Sequence, residues 1–412
     1  MRKIRFPHLL LTVLLPVATL LASPIIRANP VAEQPTLNAR LDAAIDSAIA
    51  EKRIVGTVVL VAVGGEVVYE RAAGMADRES ARPMEINTLF RLSSVTKPFV
   101  SVTAMKMVED GVLQLDDPVT RWLPDFKPQL KDGSTPIITV HQLLTHTSGL
   151  EYGFSETENG PYHKAGVSDG LDLVGISLDE NLQRLASVPL LFKPGSKWQY
   201  SLSTDVLGAV LSKAGKQPLP ELVRHYVTEP LNLKDTAFVT TERERMATPY
   251  VDAKPQPRRM AKDDNASFGK TVIHYSTERA FSPDAYPSGG AGMVGSAPDF
   301  MRFLLAIRNQ GEPILHAETT AEMMKDQVPS LTLAMEPGWG FGYGWAVLKD
   351  PAKAQTPQGK GTIYWGGVYG HKWFYDPVND IIIVMFTNTS IEGMAGKYTV
   401  AIRDAVYSNR HK

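Results

Sequence analysis

The chain has 412 residues, 43% of them hydrophobic and 21% charged, which is close to globular averages, so it can bury a sizeable core and wholesale disorder is excluded. Its formal net charge is −1 and no run of Lys or Arg makes a basic stripe, which argues against a nucleic-acid partner. Cysteine is absent, and with it go disulfides, thiolate catalysis, Cys-based zinc sites and a lipidated N-terminal Cys.

Residues 1–28 read as a signal peptide. Arg2, Lys3 and Arg5 form a positive start, Leu9 to Ala22 an apolar stretch, and Ala22, Ser23 and Ala28 offer cleavage points. The apolar stretch runs about 14 residues and is broken by Pro16, whereas a spanning helix needs roughly 20, so an uncleaved anchor is the lesser alternative. Removal of Arg2, Lys3, Arg5 and Arg27 takes the net charge from −1 to −5. The expectation is an exported bacterial protein, periplasmic or secreted, with no stable membrane insertion of the mature chain.

Apolar residues at helical spacing (Leu41, Ile45, Ile49) predict a helix from Leu37 to Glu51. Two β-branched runs, Gly56–Val63 and Glu66–Glu70, flank Gly64-Gly65 and predict a hairpin. A helix is expected over Ser94–Glu109, stopped at Gly111. From 112 to 280 helical pieces at 204–214 and 218–227 alternate with loops, and 250–270 reads as a polar surface excursion. Strands return at Gly342–Leu348, Thr362–Tyr364, His371–Tyr375 and Ile381–Asn388, with a closing helix near 393–408. The pattern implies an α+β fold: an antiparallel sheet built from both chain ends, flanked by helices, with a large, mostly helical insertion. The domains expected are an α/β sheet domain of 35–98 plus 285–412 and a mostly helical domain of 99–284.

Three segments carry chemistry. In Arg91-Leu-Ser-Ser94-Val-Thr-Lys97, a helix start would put Lys97 on the same face as Ser94, within reach of its hydroxyl. The helix N-terminus also offers unpaired N–H groups for a developing oxyanion. The alternative is a capping serine followed by a surface lysine. Ser267 and Lys270 repeat the spacing, but Gly269 and polar neighbours argue against a helix there. In Trp198-Gln-Tyr200-Ser201-Leu202, after the Pro194-Gly195 turn, a phenol beside Lys97 could take the Ser94 proton and return it to the leaving group; a buried, hydrogen-bonded Tyr is the alternative. In Tyr364-Trp365-Gly366-Gly367-Val368-Tyr369-Gly370-His371, paired glycines let a substrate approach the backbone, and an N–H just past them could complete an oxyanion hole; a plain Gly-rich hairpin is the alternative.

The order Ser-x-x-Lys, Tyr-Ser, Gly-rich strand resembles the serine β-lactamase and penicillin-binding-protein superfamily from about residue 38 to 405. Ile138–Gly149 and Ser288–Gly295 support it. Ser-Val-Thr-Lys, Trp-x-Tyr-Ser and Trp-Gly-Gly are most similar to the β-lactamase-like family VIII carboxylesterases. The resemblance implies Ser94 as nucleophile, Lys97 and Tyr200 as its base system, and the N–H groups of Ser94 and Val368 as oxyanion hole. It also implies Trp365, Gly366, Gly367 and Asp205 at the substrate, no cofactor and no metal. Leu202 stands where relatives that act on β-lactams have Asn, and Trp365-Gly366-Gly367 replaces their Lys-Thr-Gly or His-Thr-Gly. Loss of that cation favours a neutral ester over a carboxylate-bearing β-lactam or D-alanyl peptide.

The expected function is hydrolysis of short-chain or small neutral esters through an acyl-enzyme, with a small-molecule ester as partner and a monomer as the default state. A β-lactamase, a D-alanyl carboxypeptidase or aminopeptidase, and an acyltransferase are the alternatives on the same scaffold, and a non-catalytic penicillin-binding sensor is the one from another class. Gly166-Val-Ser168-Asp-Gly170 matches the G-x-S-x-G elbow but lacks the strand that motif needs before it. His141 and His146 show no metal-binding spacing and read as structural.

Overall fold

The first strand, Gly56–Val63, is buried on both sides, because Val58, Leu60 and Ala62 enter one core and Val59 and Val61 another. That is why its sequence is continuously apolar rather than alternating. The computed structural model describes residues 1, 35–173, 175–269, 271–331 and 337–408. The expected signal peptide lies outside the described residues, apart from Met1. Leu37–Lys412 form one compact unit.

In chain order the elements are α1 (Leu37–Ala50), β1 (Gly56–Val63), β2 (Glu66–Asp77), β3 (Arg82–Pro83), β4 (Leu89–Arg91), a single 3₁₀ turn (Ser93–Val95) and α2 (Thr96–Glu109). There follow α3 (Val140–Leu144), α4 (Pro161–Ala165), α5 (Leu178–Ala186), α6 (Ser203–Gly215), α7 (Leu219–Val223), β5 (Tyr250–Val251), β6 (Arg258–Arg259), β7 (Asp263–Phe268) and β8 (Thr271–Ser276). The last part holds β9 (Val294–Ser296), α8 (Ala297–Arg308), α9 (Ala317–Met323), β10 (Trp339–Phe341), β11 (Ala346–Leu348), β12 (Ile363–Gly367), β13 (His371–Asp376), β14 (Ile381–Thr387), α10 (Ser390–Ala395) and α11 (Lys397–Tyr407).

The main sheet has eight antiparallel strands in the order β10-β11-β12-β13-β14-β1-β2-β3, so both chain ends meet where Thr57–Val63 pair with Thr387–Ile381. Helices α1 and α11 cover one face through Leu41, Ile45, Tyr398 and Ile402. The other face packs on α8 and α2, where Phe300 and Phe303 meet Phe99, Trp373 and Phe386. Gly64 and Gly65, at φ +63° and +88°, make the β1–β2 turn, for which positive φ at both positions is required.

Three expectations are corrected. The strand placed at 342–348 holds only β11 at its end, because Gly342–Trp345 form the turn that reverses the chain from β10, with Gly344 at φ +99°. The helix placed at 393–408 is α10 and α11, divided at Gly396, whose ψ of −177° ends one helix and starts the next. The excursion at 250–270 is instead ordered pairing, β5 with β6 and β7 with β8, and Ser267 lies on a strand. Among the described residues no helix is long and apolar enough to cross a membrane, and no group of three or more metal-ligating side chains gathers.

Candidate active site

Strand β4 pairs with β9 and delivers the chain into the 3₁₀ turn that carries Ser94. Ser93 just before it sits at φ +45°, a left-handed conformation costly for a residue with a Cβ. It is held there by its hydroxyl, which donates to Leu92 O (2.7 Å) and accepts from Tyr369 N (3.5 Å). Helix α2 follows at once, buried almost all round, and tolerates Pro98 because the first turn needs no N–H at that position.

Two groups converge on Ser94 Oγ. The Tyr200 hydroxyl donates to it at 2.7 Å and the Lys97 ammonium at 3.3 Å. Lys97 is buried (1% exposed) and also donates to Tyr152 Oη (2.9 Å) and Gly290 O (2.8 Å). Its ammonium lies 4.7 Å from the centre of the Tyr200 ring, and the Trp365 indole N–H donates to Tyr200 Oη at 3.3 Å. The structure therefore brings together Ser94, Lys97, Tyr200 and Trp365 as the sequence led one to expect.

Tyr200 is steadied from behind. His146 packs against it, tilted, with ring centres 4.9 Å apart, and His146 Nδ1 pairs with Ser201 Oγ (3.1 Å), which continues through Ser203 (2.8 Å) to Ser148 (2.7 Å). Burial, then the nearby Lys97 charge, holds His146 well below the usual histidine range, so it is a neutral packing partner. His141 pairs instead with Tyr343 Oη at 2.8 Å.

Strand β12 closes the other side. Gly366 and Val368 border the cleft with Ser94 and Trp365. Tyr275 Oη donates to Val368 O (3.1 Å), fixing that peptide. His371, neutral because burial lowers it to about 4, ties β13 to β4 through Nε2 and Arg91 O (2.8 Å). Gly367 does not border the cleft; it lies under the 3₁₀ turn, where a Cβ would come 2.5 Å from Leu92 O and 2.6 Å from Ser93 Oγ. Gly367→Ala should therefore push strand and turn apart, lowering stability by about 1–3 kcal/mol and kcat about 100-fold. A thermal melt and ester kinetics on the variant check this, and an unchanged kcat would show that the spacing is not limiting.

Asp205 is the other correction. It is fully buried, does not border the cleft, and accepts from Ser288 Oγ at 2.5 Å. Burial raises its carboxyl above the ordinary carboxylate range, while the Ser288 hydroxyl and the Lys97 charge oppose that rise. Its place is behind Lys97, where Gly290 must be glycine: a Cβ there would lie 2.4 Å from Asp205 Oδ2 and 2.7 Å from Tyr152 Oη.

Sequence reasoning missed Tyr152. It is buried, stacked on Phe154 with ring centres 4.5 Å apart, and its phenol is held well above its ordinary pKa, first by burial and then by the neighbouring Tyr200 and Asp205. No motif marks it; the only hint is its place just after Thr147-Ser148-Gly149. Phe154 from that loop and Phe268 from β7 form an apolar wall, and the whole cleft measures about 390 Å³. Ser168, by contrast, is buried, hydrogen-bonded to Asp172 and Tyr286 (3.1 Å), and does not border the cleft.

A family model described as Beta-lactamase matches residues 41–407. The chain is 52% identical over 377 residues to Esterase EstB of Burkholderia gladioli, covering 90% of this chain and 96% of that one. The solved structure of EstCE1, described as a hydrolase with promiscuous acyltransferase activity, superposes with a TM-score of 0.85 at 46% identity, over 89% of this chain and 97% of that one. Simvastatin synthase (LovD) from Aspergillus terreus superposes with a TM-score of 0.72 at 20% identity, over 92% and 100% of the two chains, which is a likeness of fold.

Proposed function

This chain belongs to the Beta-lactamase family, and from that premise we propose that it is a serine carboxylesterase acting on short-chain or small neutral esters through an acyl-enzyme on Ser94. The observation that carries the reading is the meeting of Tyr200 and Lys97 at one serine oxygen that opens onto an apolar cleft. In the reactive form Tyr200 has given its phenol proton to solvent, and Ser94 Oγ attacks the ester carbonyl as its own proton passes to the phenolate, the closer of the two groups. Lys97 and the Trp365 N–H stabilise negative charge on the phenol oxygen. The N–H groups of Ser94 and Val368 receive the carbonyl oxygen as it becomes an oxyanion. Collapse expels the alkoxide, which takes the proton back from Tyr200. A water then attacks the acyl-Ser94 bond, giving its proton by the same route and releasing the acid.

The apolar wall of Phe154, Phe268 and Trp365 suits a small neutral acyl group. A panel of short 4-nitrophenyl esters, nitrocefin and a D-alanyl peptide tests the reading: rapid ester turnover with slow ring opening supports it, and the reverse order overturns it. Trp365 has two roles that substitution separates. Trp365→Phe keeps the ring but removes the N–H to Tyr200, and should lower kcat about tenfold with acyl-chain preference retained. Trp365→Ala should shift the preferred acyl length, and an unshifted chain-length profile would take Trp365 out of the pocket. Export, with residues 1–28 removed, completes the proposal; a mature N-terminus lying upstream of Ala22 would argue against it.

A further inference from the structure

The segment Gly166-Val-Ser168-Asp169-Gly170 supplies no nucleophile, yet the molecule fixes it firmly. Ser168 N donates to Asn181 Oδ1 (2.8 Å) and Asn181 Nδ2 donates back to Ser168 O (3.0 Å), which ties the segment to α5. Gly166 and Gly170 take φ +66° and +78°, and at Gly170 a Cβ would come 2.3 Å from Ser288 Oγ. Between these anchored neighbours stands Asp169.

Its carboxylate meets the loop that carries Tyr152 and Phe154. Gly153–Ser155 form a single 3₁₀ turn whose own bonds begin at Ser155 N, which reaches Tyr152 O at 3.1 Å. The N–H groups of Gly153 and Phe154 therefore have no acceptor within the turn, and the Tyr152 side chain provides no cap. Asp169 accepts from both: Gly153 N donates to Oδ1 at 2.7 Å and Phe154 N to Oδ2 at 2.9 Å. Among the described residues Asp169 has no ion pair, so its carboxylate is committed to this stretch of backbone. The Phe154 ring in turn stacks on Tyr152, meets Phe268 edge-on at 5.9 Å and borders the cleft, which Asp169 itself does not.

We propose that Asp169 is a positioning residue for acyl-chain selection: by holding both N–H groups it sets where the Phe154 ring closes the cleft, and so the longest acyl chain that fits. The inference rests on the esterase reading of Ser94. Asp169 touches no substrate and acts through Phe154. Two charge-assisted bonds to successive amides fix the turn in position and in rotation, where one would leave it free to pivot. Asparagine at 169 keeps the size of the side chain, but it accepts from one N–H and turns an NH2 donor on the other.

The test compares 4-nitrophenyl butanoate with 4-nitrophenyl octanoate, as the ratio of their kcat/KM values on one preparation, so that folded fraction cancels. Phe154→Ala should lower the butanoate-to-octanoate ratio about tenfold by opening the wall. Asp169→Asn should lower it about three- to tenfold, through a smaller KM for octanoate. In the Phe154→Ala background Asp169→Asn should change the ratio no further. Ser168→Ala, in the same segment, should leave it unmoved. In the unsubstituted protein the Gly153 and Phe154 amides should exchange slowly with deuterium, a measurement that needs no variant to fold. A ratio indifferent to Asp169→Asn overturns the assignment, and a loss of kcat common to both esters would then place the action on Tyr152. An equal shift in the Phe154→Ala background or from Ser168→Ala, or rapid exchange at both amides, overturns it too, and each of these results leaves the esterase intact. Failure of the unsubstituted protein to cleave either ester overturns the parent reading, and this one with it.

Discussion

Ser94→Ala is expected to abolish ester turnover, by about 10⁵–10⁶-fold in kcat, while Ser168→Ala should leave most of it. The size follows from the loss of the bonding atom itself: what remains is binding and oxyanion stabilisation, which act on an attacking water poorly. The contrast follows from surroundings. Ser94 Oγ has a phenol at 2.7 Å and an ammonium at 3.3 Å and opens onto the cleft, whereas Ser168 is buried and committed to Asp172 and Tyr286. A fluorophosphonate label, read by mass spectrometry, should fall on the peptide carrying Ser94. Label on Ser168, or full activity in Ser94→Ala, would remove the mechanism.

The second expected result concerns Lys97 and Tyr200, which should behave as one unit. Tyr200→Phe removes the group nearest the serine oxygen and Lys97→Ala the charge beside it, and each should cost about 10³–10⁴-fold in kcat. The double variant should lose little more, because once the proton has no acceptor the second deletion removes nothing further. Multiplicative losses would show two independent functions. Lys97→Ala also strips a donor from Tyr152 and Gly290 O, so a thermal melt belongs beside the kinetics: a buried acceptor left unpaired costs about 1–3 kcal/mol.

The parts of this molecule written in local sequence were legible. Gly64-Gly65 declares a hairpin, Leu41 and Ile45 declare one face of a helix, and both are found. Ser94 and Lys97 could be read because three residues of a helix start fix their geometry. Tyr200 needed the family resemblance, since its meeting with Ser94 spans a long stretch of intervening chain. Tyr152 was invisible because nothing local distinguishes a tyrosine that receives a lysine from one that fills a core. Asp205 was misplaced for the converse reason: its position in the pattern is right, but whether a carboxylate faces substrate or the back of a lysine depends on Ser288 and Gly290, which come from elsewhere in the chain. The polar composition of 250–270 concealed β7, whose Phe268 packs on Phe154 at 5.9 Å.

The seam between β1 and β14 has a consequence for how the molecule comes into being. The sheet's central pairing joins the first strand made to the last, so a chain still leaving the ribosome can close neither the sheet nor the Val368 side of the cleft around Ser94. Catalytic competence therefore waits for β14 to emerge and pair with β1. Until then a nascent chain of this design stays open along its central seam and inert as a hydrolase.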